Sequence, residues 1–370
     1  MARAGVTVVS DFDAAVRLIS GGTNIVIYND IGLPSIFVRR DAGNISDVID
    51  GGPDTVHYAF IVDGLQVPAF YMGKYLATVY KGRALSLPFQ DPAAKYAEST
   101  SVNFDNAKKW CEANGDGFHL PTIAEYAWIA LLSRKNGTMP RGNNSYGADV
   151  SCQYEKCIPS TYSGVHPNRT LTGSGPATWN DNWKPDGICD LNGNVYEWQG
   201  GYRTVNGEIQ IFADNDAANH YSQSQSSTYW KAILPDGTLV EPGTDGTLKW
   251  DYTRDPNDSS TGIPFCLNTK LTNQQASSTP SGSMKLSDLK AASGVIVPDR
   301  LKALALMPDD SGVSYGGDYA YMKNLGECFA GRGGYWNGTD QAGVFLSHGY
   351  LPRTYFDEYI GFRPAFISGL

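Results

Sequence analysis

The last forty or so residues constrain this chain more than any other stretch. They read Arg332-Gly-Gly-Tyr-Trp-Asn, Ala342-Gly343-Val344-Phe345, Leu346 to Tyr359, and Ile360-Gly-Phe-Arg-Pro-Ala-Phe366. Two kinds of residue are interleaved. Gly333, Gly334, Trp336, the run 342–345, Pro352 and Ile360, Gly361 and Phe362 suit a packed scaffold. Between them stand Tyr335, Asn337, Asp340, Leu346, His348, Tyr350, Thr354, Tyr355, Phe356, Asp357, Glu358 and Tyr359, mostly aromatic or polar, in what read as loop-like gaps. Tyrosine beside small polar residues is a binding-surface composition, because its ring gives large contact area at low side-chain entropy cost. These residues are the candidate ligand-binding set.

Composition narrows the class. With 41 Gly, 20 Pro and 22 Tyr in 370 residues and only 18% charged side chains, the chain reads as loop-rich and globular. It is long enough for two domains, or for one with insertions. A net charge of −9 repels phosphate backbones, so no nucleic-acid partner is expected. No apolar run reaches spanning length, and no membrane insertion is expected. The start, Met1 to Asp11, lacks a continuous apolar signal segment, so export by host lysis is the expected route outward. The six cysteines are scattered, and the Cys152–Cys157 spacing has no matching second pair. Free thiols or one local bridge are expected rather than zinc.

Along the chain, residues 1–53 form a small strand-rich module. It has strands at Val6–Val9, Asn24–Tyr28 and Ser35–Val38, a short helix at Asp11–Ile19, and a boundary at Gly51-Gly52-Pro53. Assembly or attachment, including a homo-oligomer, is its expected role. A helix capped by Asn103 and closed by Gly115 follows, then one opened by the capping box Thr122 to Glu125 and ended by Gly137. Residues 138–185 are loops. Residues 203–330 read as an insertion, with a strand at Gly207–Phe212, hairpin edges at Asp236 and Asp245, a polar linker at 277–283 and helices at Leu286–Ala292 and Asp299–Met307.

The terminal pattern RGGYWN, AGVF, PR and IGFRPAF resembles the variable region of variable proteins of diversity-generating retroelements. Gly193-Asn-Val-Tyr-Glu-Trp198 is similar to the Gly-Asn-Val-Trp-Glu-Trp core strand of the same superfamily, with Tyr196 where Trp is usual. The resemblance implies an α+β chain. Its C-type lectin-type domain, related to formylglycine-generating enzymes, would span 54–370, with the insertion at about 203–330 and a variable region at about 332–366. It implies a non-catalytic protein, phage or prophage encoded, that binds a protein or cell-surface receptor from a virion tail or fibre or from extracellular display. In such retroelements template adenines are replaced, mainly in Asn codons ending in C or T. Tyr, Phe, Asp, Thr, Ser, His, Leu and Gly are then reachable, whereas Glu358 and Gln341 are exceptions. The stretch Tyr335 to Tyr359 holds no Lys and no Met.

The chief alternatives are a degenerate formylglycine-generating-type enzyme and a structural virion protein. The enzyme reading needs a late cysteine pair, and no cysteine follows Cys328. The histidines His57, His119, His166, His220 and His348 show no short ligand spacing. No cofactor is required. A structural calcium is the one metal the resemblance implies, through Asp190, Gly193, Val195 and Glu197. The competing expectation is that Asp190 makes turn hydrogen bonds and Glu197 pairs with an arginine such as Arg363. Trp179-Asn180-Asp181 matches a lectin tripeptide, but its partner motif is missing and no sugar site is inferred.

Overall fold

The computed structural model describes residues 11–253, 264–278, 280–309 and 311–370. The strand expected at Val6–Val9 lies outside the described residues. The architecture is α+β, built on two sheets.

The first sheet has five antiparallel strands, in the order Asn24–Tyr28, Pro34–Asp41, Ala69–Gly73, Ala365–Phe366 and Phe118–His119. This differs from a separate N-terminal module. Pro34–Asp41 pairs along its length with Ala69–Gly73, across the expected boundary. A lone hairpin is marginal in water. Here Phe37 is buried and packs against Phe118 at 6.0 Å and Phe366 at 6.5 Å between ring centroids. Residues from the start, middle and end of the chain therefore share one core, and Gly51, at the expected boundary, occupies an exposed turn with φ +75°.

Both expected helices form where their caps place them. Asn103 accepts a hydrogen bond from the Asn106 N–H at 3.0 Å and opens Phe104–Glu112. Thr122 and Glu125 close a reciprocal capping box at the start of Ile123–Lys135. The second helix is buried almost all round, from Ile123 to Leu131, which marks it as the central core helix.

The second, larger sheet runs through Leu239–Val240, Lys231–Ile233, Glu208–Ile211, Tyr202–Val205, Glu327–Gly333, Gly343–Leu351, Tyr319–Met322 and Gly282–Lys285. Segment 203–330 thus supplies strands on both sides of the terminal pair instead of standing apart. Its helical content is less than the periodicity predicts: a 3-10 turn at Leu286–Asp288 and a short helix at Asp299–Ala303. The core strand Tyr196–Trp198 pairs antiparallel with Glu327–Gly333 and parallel with Ile360–Gly361.

One buried ion pair joins the two sheets. Arg363 donates Nε to Glu197 Oε2 at 2.5 Å and Nη2 to Glu197 Oε1 at 2.7 Å. Its remaining donors reach the Gly73 and Cys189 carbonyls, each at 3.0 Å. Both residues are fully buried. A bidentate guanidinium with its other N–H groups satisfied is the geometry in which burial of charge is tolerated.

A candidate ligand-binding pocket of tyrosines

Three strands converge behind the terminal segment. Glu327–Gly333 pairs with Gly343–Leu351, with bulges between Phe329 and Gly331 and between Arg332 and Gly333. Gly343–Leu351 also pairs in parallel with Tyr319–Met322, which sets Tyr321 opposite His348. The core strand brings Tyr196 to the same place. The paired glycines make this approach feasible. Gly334 has φ +94°, and a Cβ there would lie 2.5 Å from the Ala342 Cβ. Gly333 has φ +87°, and its Cβ would meet the Leu191 carbonyl at 2.8 Å.

These strands wall a pocket of about 550 Å³, within the size range of small-ligand sites. At its base the His348 ring stacks on Tyr196, with centroids 4.5 Å apart and planes 15° apart. Tyr350 stands edge-on to His348 at 4.2 Å and Tyr321 does so at 5.5 Å. On the other side Tyr335 packs on Tyr196 at 5.4 Å and on Tyr359 at 5.2 Å, while Tyr359 rests against Trp336 at 5.6 Å. Tyr355, Leu346, Asn337, Gly338, Thr339 and Gln341 complete the lining, and the Tyr321 hydroxyl donates to Gln341 Oε1.

Of the predicted residues, Tyr335, Asn337, Leu346, His348, Tyr350, Tyr355 and Tyr359 line this pocket. Leu346, His348 and Tyr350 lie at alternate positions of the strand Gly343–Leu351, not in a loop gap. The others do not line it. Asp340 borders a neighbouring groove with Asp149 and Asp318. Phe356 packs on Tyr96 at 5.4 Å, Glu358 pairs with Lys95 at 3.1 Å, and Thr354 is exposed. Asp357 Oδ1 accepts the Glu358 N–H at 2.5 Å. Sequence reasoning missed Tyr196, Tyr321, Gly338, Thr339 and Gln341 as pocket residues. For Tyr196 a signal existed, since it replaces the tryptophan usual in its motif. Tyr321 comes from the segment read as an insertion, and only strand pairing brings it here.

Burial dominates the electrostatics of the lining. Burial pushes His348 down to about 3, so its ring is neutral at physiological pH, and its Nδ1 has no hydrogen-bond partner. Burial pushes the Tyr321 phenol up to about 12 and raises Tyr196, Tyr335, Tyr350, Tyr355 and Tyr359 as well. These phenols and the imidazole are poorly matched to proton transfer near neutrality. The six cysteines are free thiols. Burial pushes Cys157 up to about 12 and Cys328 to about 11, and raises Cys111, Cys189 and Cys266, the opposite of an activated nucleophile.

Of the residues expected to hold calcium, the two carboxylates are already engaged within the protein. Both oxygens of Glu197 are taken by Arg363, whose positive charge already balances the carboxylate. Asp190 is buried, accepts the Gly173 N–H at 2.8 Å and is pushed up to about 6 by burial, which disfavours its charged form. Among the described residues no three His, Cys, Asp or Glu side chains converge as a metal site. Asp181 of the lectin-like tripeptide is structural, pairing with Arg40 and accepting the Ile188 N–H at 2.7 Å. No helix among the described residues is long and apolar enough to cross a membrane.

No family model matches this chain, and no curated protein matches it. Among solved structures it is similar to the Major Tropism Determinant P3c variant, at 14% identity and a TM-score of 0.33 over 90% of this chain. It is also similar to the Major Tropism Determinant I1 variant, at 12% identity and a TM-score of 0.33 over 93% of this chain and 71% of that one. A third is Treponema denticola variable protein 1, at 13% identity and a TM-score of 0.27 over 93% of this chain and 99% of that one. The chain spans 63% of the length of the P3c and U1 variants of Major Tropism Determinant.

Proposed function

We propose that this chain is a non-catalytic receptor-binding protein of the retroelement-diversified kind, with a lectin-type scaffold that carries an exchangeable binding surface. The observation that carries the reading is the pocket itself. Four of its rings, Tyr196, Tyr321, His348 and Tyr350, stand on paired strands, and most of its lining comes from the short terminal stretch with the composition of a diversified surface. Tyrosines held this way offer area for binding with little entropy left to lose. The ligand is a protein or cell-surface receptor, reached from a virion tail or fibre or from extracellular display. The N-terminal helix suits attachment, including self-assembly: Phe12–Ile19 buries none of its residues, and Leu18 and Ile19 are each 85% exposed.

Sequencing the locus tests this reading. The codons of Tyr335, Leu346, Ser347, His348, Gly349, Tyr350, Thr354, Tyr355, Phe356, Asp357 and Tyr359 are expected to end in C or T. They should differ from an adjacent template only where that template has adenine. Substitutions spread over all four template bases, or no template at all, would overturn the diversification claim.

A further inference from the structure

The pocket alone is too small for a protein partner. A stable protein interface buries about 800 Å² on each side and engages about 20–30 residues of each partner. Twelve residues line the pocket, and Tyr196, Leu346 and His348 among them are already buried. A protein seated there must also rest on surface beside it.

Beside it stands a hairpin that the terminal stretch does not supply. Tyr162–Ser163 pairs with His166–Pro167 around the two-residue turn Gly164-Val165. Gly164, at φ +59°, meets the conformational need of that turn. Turn chemistry asks for neither Val165, a β-branched apolar side chain 83% exposed at the tip, nor Tyr162, which is 60% exposed. The hairpin is joined to the pocket on two sides. The Tyr146 N–H donates to the carbonyl of Trp336, which stands between the pocket residues Tyr335 and Asn337, at 2.8 Å, and the Tyr146 ring meets His166 at 5.3 Å between centroids. On the other side Arg169 Nη1 donates to the carbonyl of Glu358, next to the pocket residue Tyr359, at 3.3 Å. The hairpin base is fixed. Asp91 holds Arg169 at 3.0 Å, and the buried Asn194 side chain accepts the Thr170 N–H at 3.0 Å and donates to the Thr170 carbonyl at 3.1 Å. An apolar knob on a fixed base loses little freedom when a partner covers it.

We propose that the Tyr162–Pro167 hairpin is a constant contact element for a protein receptor, gripping it beside the exchangeable pocket. The inference rests on the receptor-binding reading above and adds to it the fixed part of the footprint. Pocket residues then set which receptor is bound, while Tyr162 and Val165 contribute affinity to every variant.

A displayed library of the full chain, randomised at Tyr335, Leu346, His348, Tyr350, Tyr355 and Tyr359 and selected against lysozyme as the target protein, tests this. Each selected clone is then remade with Tyr162→Ser and Val165→Ser together. Both side chains are exposed, so the melting curve should match that of the parent clone. In most clones the double change is expected to weaken lysozyme binding by more than about threefold. A smaller loss in most clones would overturn the proposal. Leu65→Ser, at an apolar residue 72% exposed on a different hairpin, should leave binding unchanged, and an equal loss there would also overturn it. Sedimentation separates the other occupant, a second copy of this chain. If the double change dissolves an oligomer while lysozyme affinity holds, the hairpin is a subunit contact and the proposal falls. A library that yields no lysozyme binder overturns the receptor-binding reading itself, whereas binders indifferent to the hairpin overturn this inference alone.

Discussion

The terminal segment contains two sets of aromatic and polar residues that look alike in sequence and differ in space. One set, Leu346, His348 and Tyr350 on the strand, Tyr335 before it and Tyr355 and Tyr359 after it, is buried or half-buried around one cavity. The other, Thr354, Phe356, Asp357 and Glu358, lies on the connection between Leu351 and Ile360. There Phe356 is 38% exposed and packs on Tyr96, which does not line the pocket. The difference teaches that residue type marks a binding surface, while the supporting element decides whether a side chain is aimed. Strand-borne rings converge because pairing fixes their register, whereas on the connecting loop Tyr355 and Tyr359 line the cavity and Thr354, Phe356, Asp357 and Glu358 do not.

The largest effects are expected where the scaffold passes beneath both sets. Phe362 is fully buried against Trp110, with centroids 5.9 Å apart, and Phe362→Ala should cost about 3–5 kcal/mol in denaturant unfolding. Glu197→Ala leaves the Arg363 guanidinium buried and unpaired and should cost about 3–5 kcal/mol. A loss below about 1 kcal/mol for either would erase the distinction between scaffold and display residues.

His348 sharpens the comparison through pH. Its folded-state value is depressed to about 3 from the ordinary 6.5, so the unfolded chain binds the proton first. Its contribution is therefore fully present above about 6.5 and is lost as pH falls towards 3. Within that window stability should drop by up to about 1.4 kcal/mol per pH unit relative to His348→Phe. Asp318, raised to about 7 by burial, works in the opposite sense, losing stability as pH rises from about 4 to 7. The comparison with His348→Phe removes that common background. Equal pH profiles would mean that His348 is not desolvated in the pocket.

Intermediate effects belong to the half-buried tyrosines. Replacing Tyr350, Tyr355 and Tyr359 by Ser together should cost about 1–3 kcal/mol, because Tyr359 packs on Trp336 and Tyr335 and the others only partly leave solvent. Outside the pocket, Thr354→Ala should stay within about 0.5 kcal/mol. The smallest effect concerns metal. With Glu197 committed to Arg363, a chelator should leave Tm unchanged, and a chelator-induced drop would point to oxygen ligands other than that carboxylate.

The sequence by itself determined what is local. Asn103 and the Thr122 to Glu125 pair placed both helix starts, because a cap is satisfied within one turn of chain. The contrast between apolar blocks and tyrosine-rich gaps marked Tyr335, Asn337, Leu346, His348, Tyr350, Tyr355 and Tyr359 of the pocket lining, because rings beside small polar residues are not what a uniform apolar core is made of. Only tertiary structure decided the rest. Pro34–Asp41 reads as part of an independent module until Ala69–Gly73 is seen beside it, and strand pairing partners are set by the whole sheet. Tyr321 joins the pocket through parallel pairing with His348, and Tyr196 through a core strand far from it in sequence. Glu197 meets Arg363 because the fold brings that guanidinium into bidentate range, and a buried carboxylate requires a charge partner that reaches it.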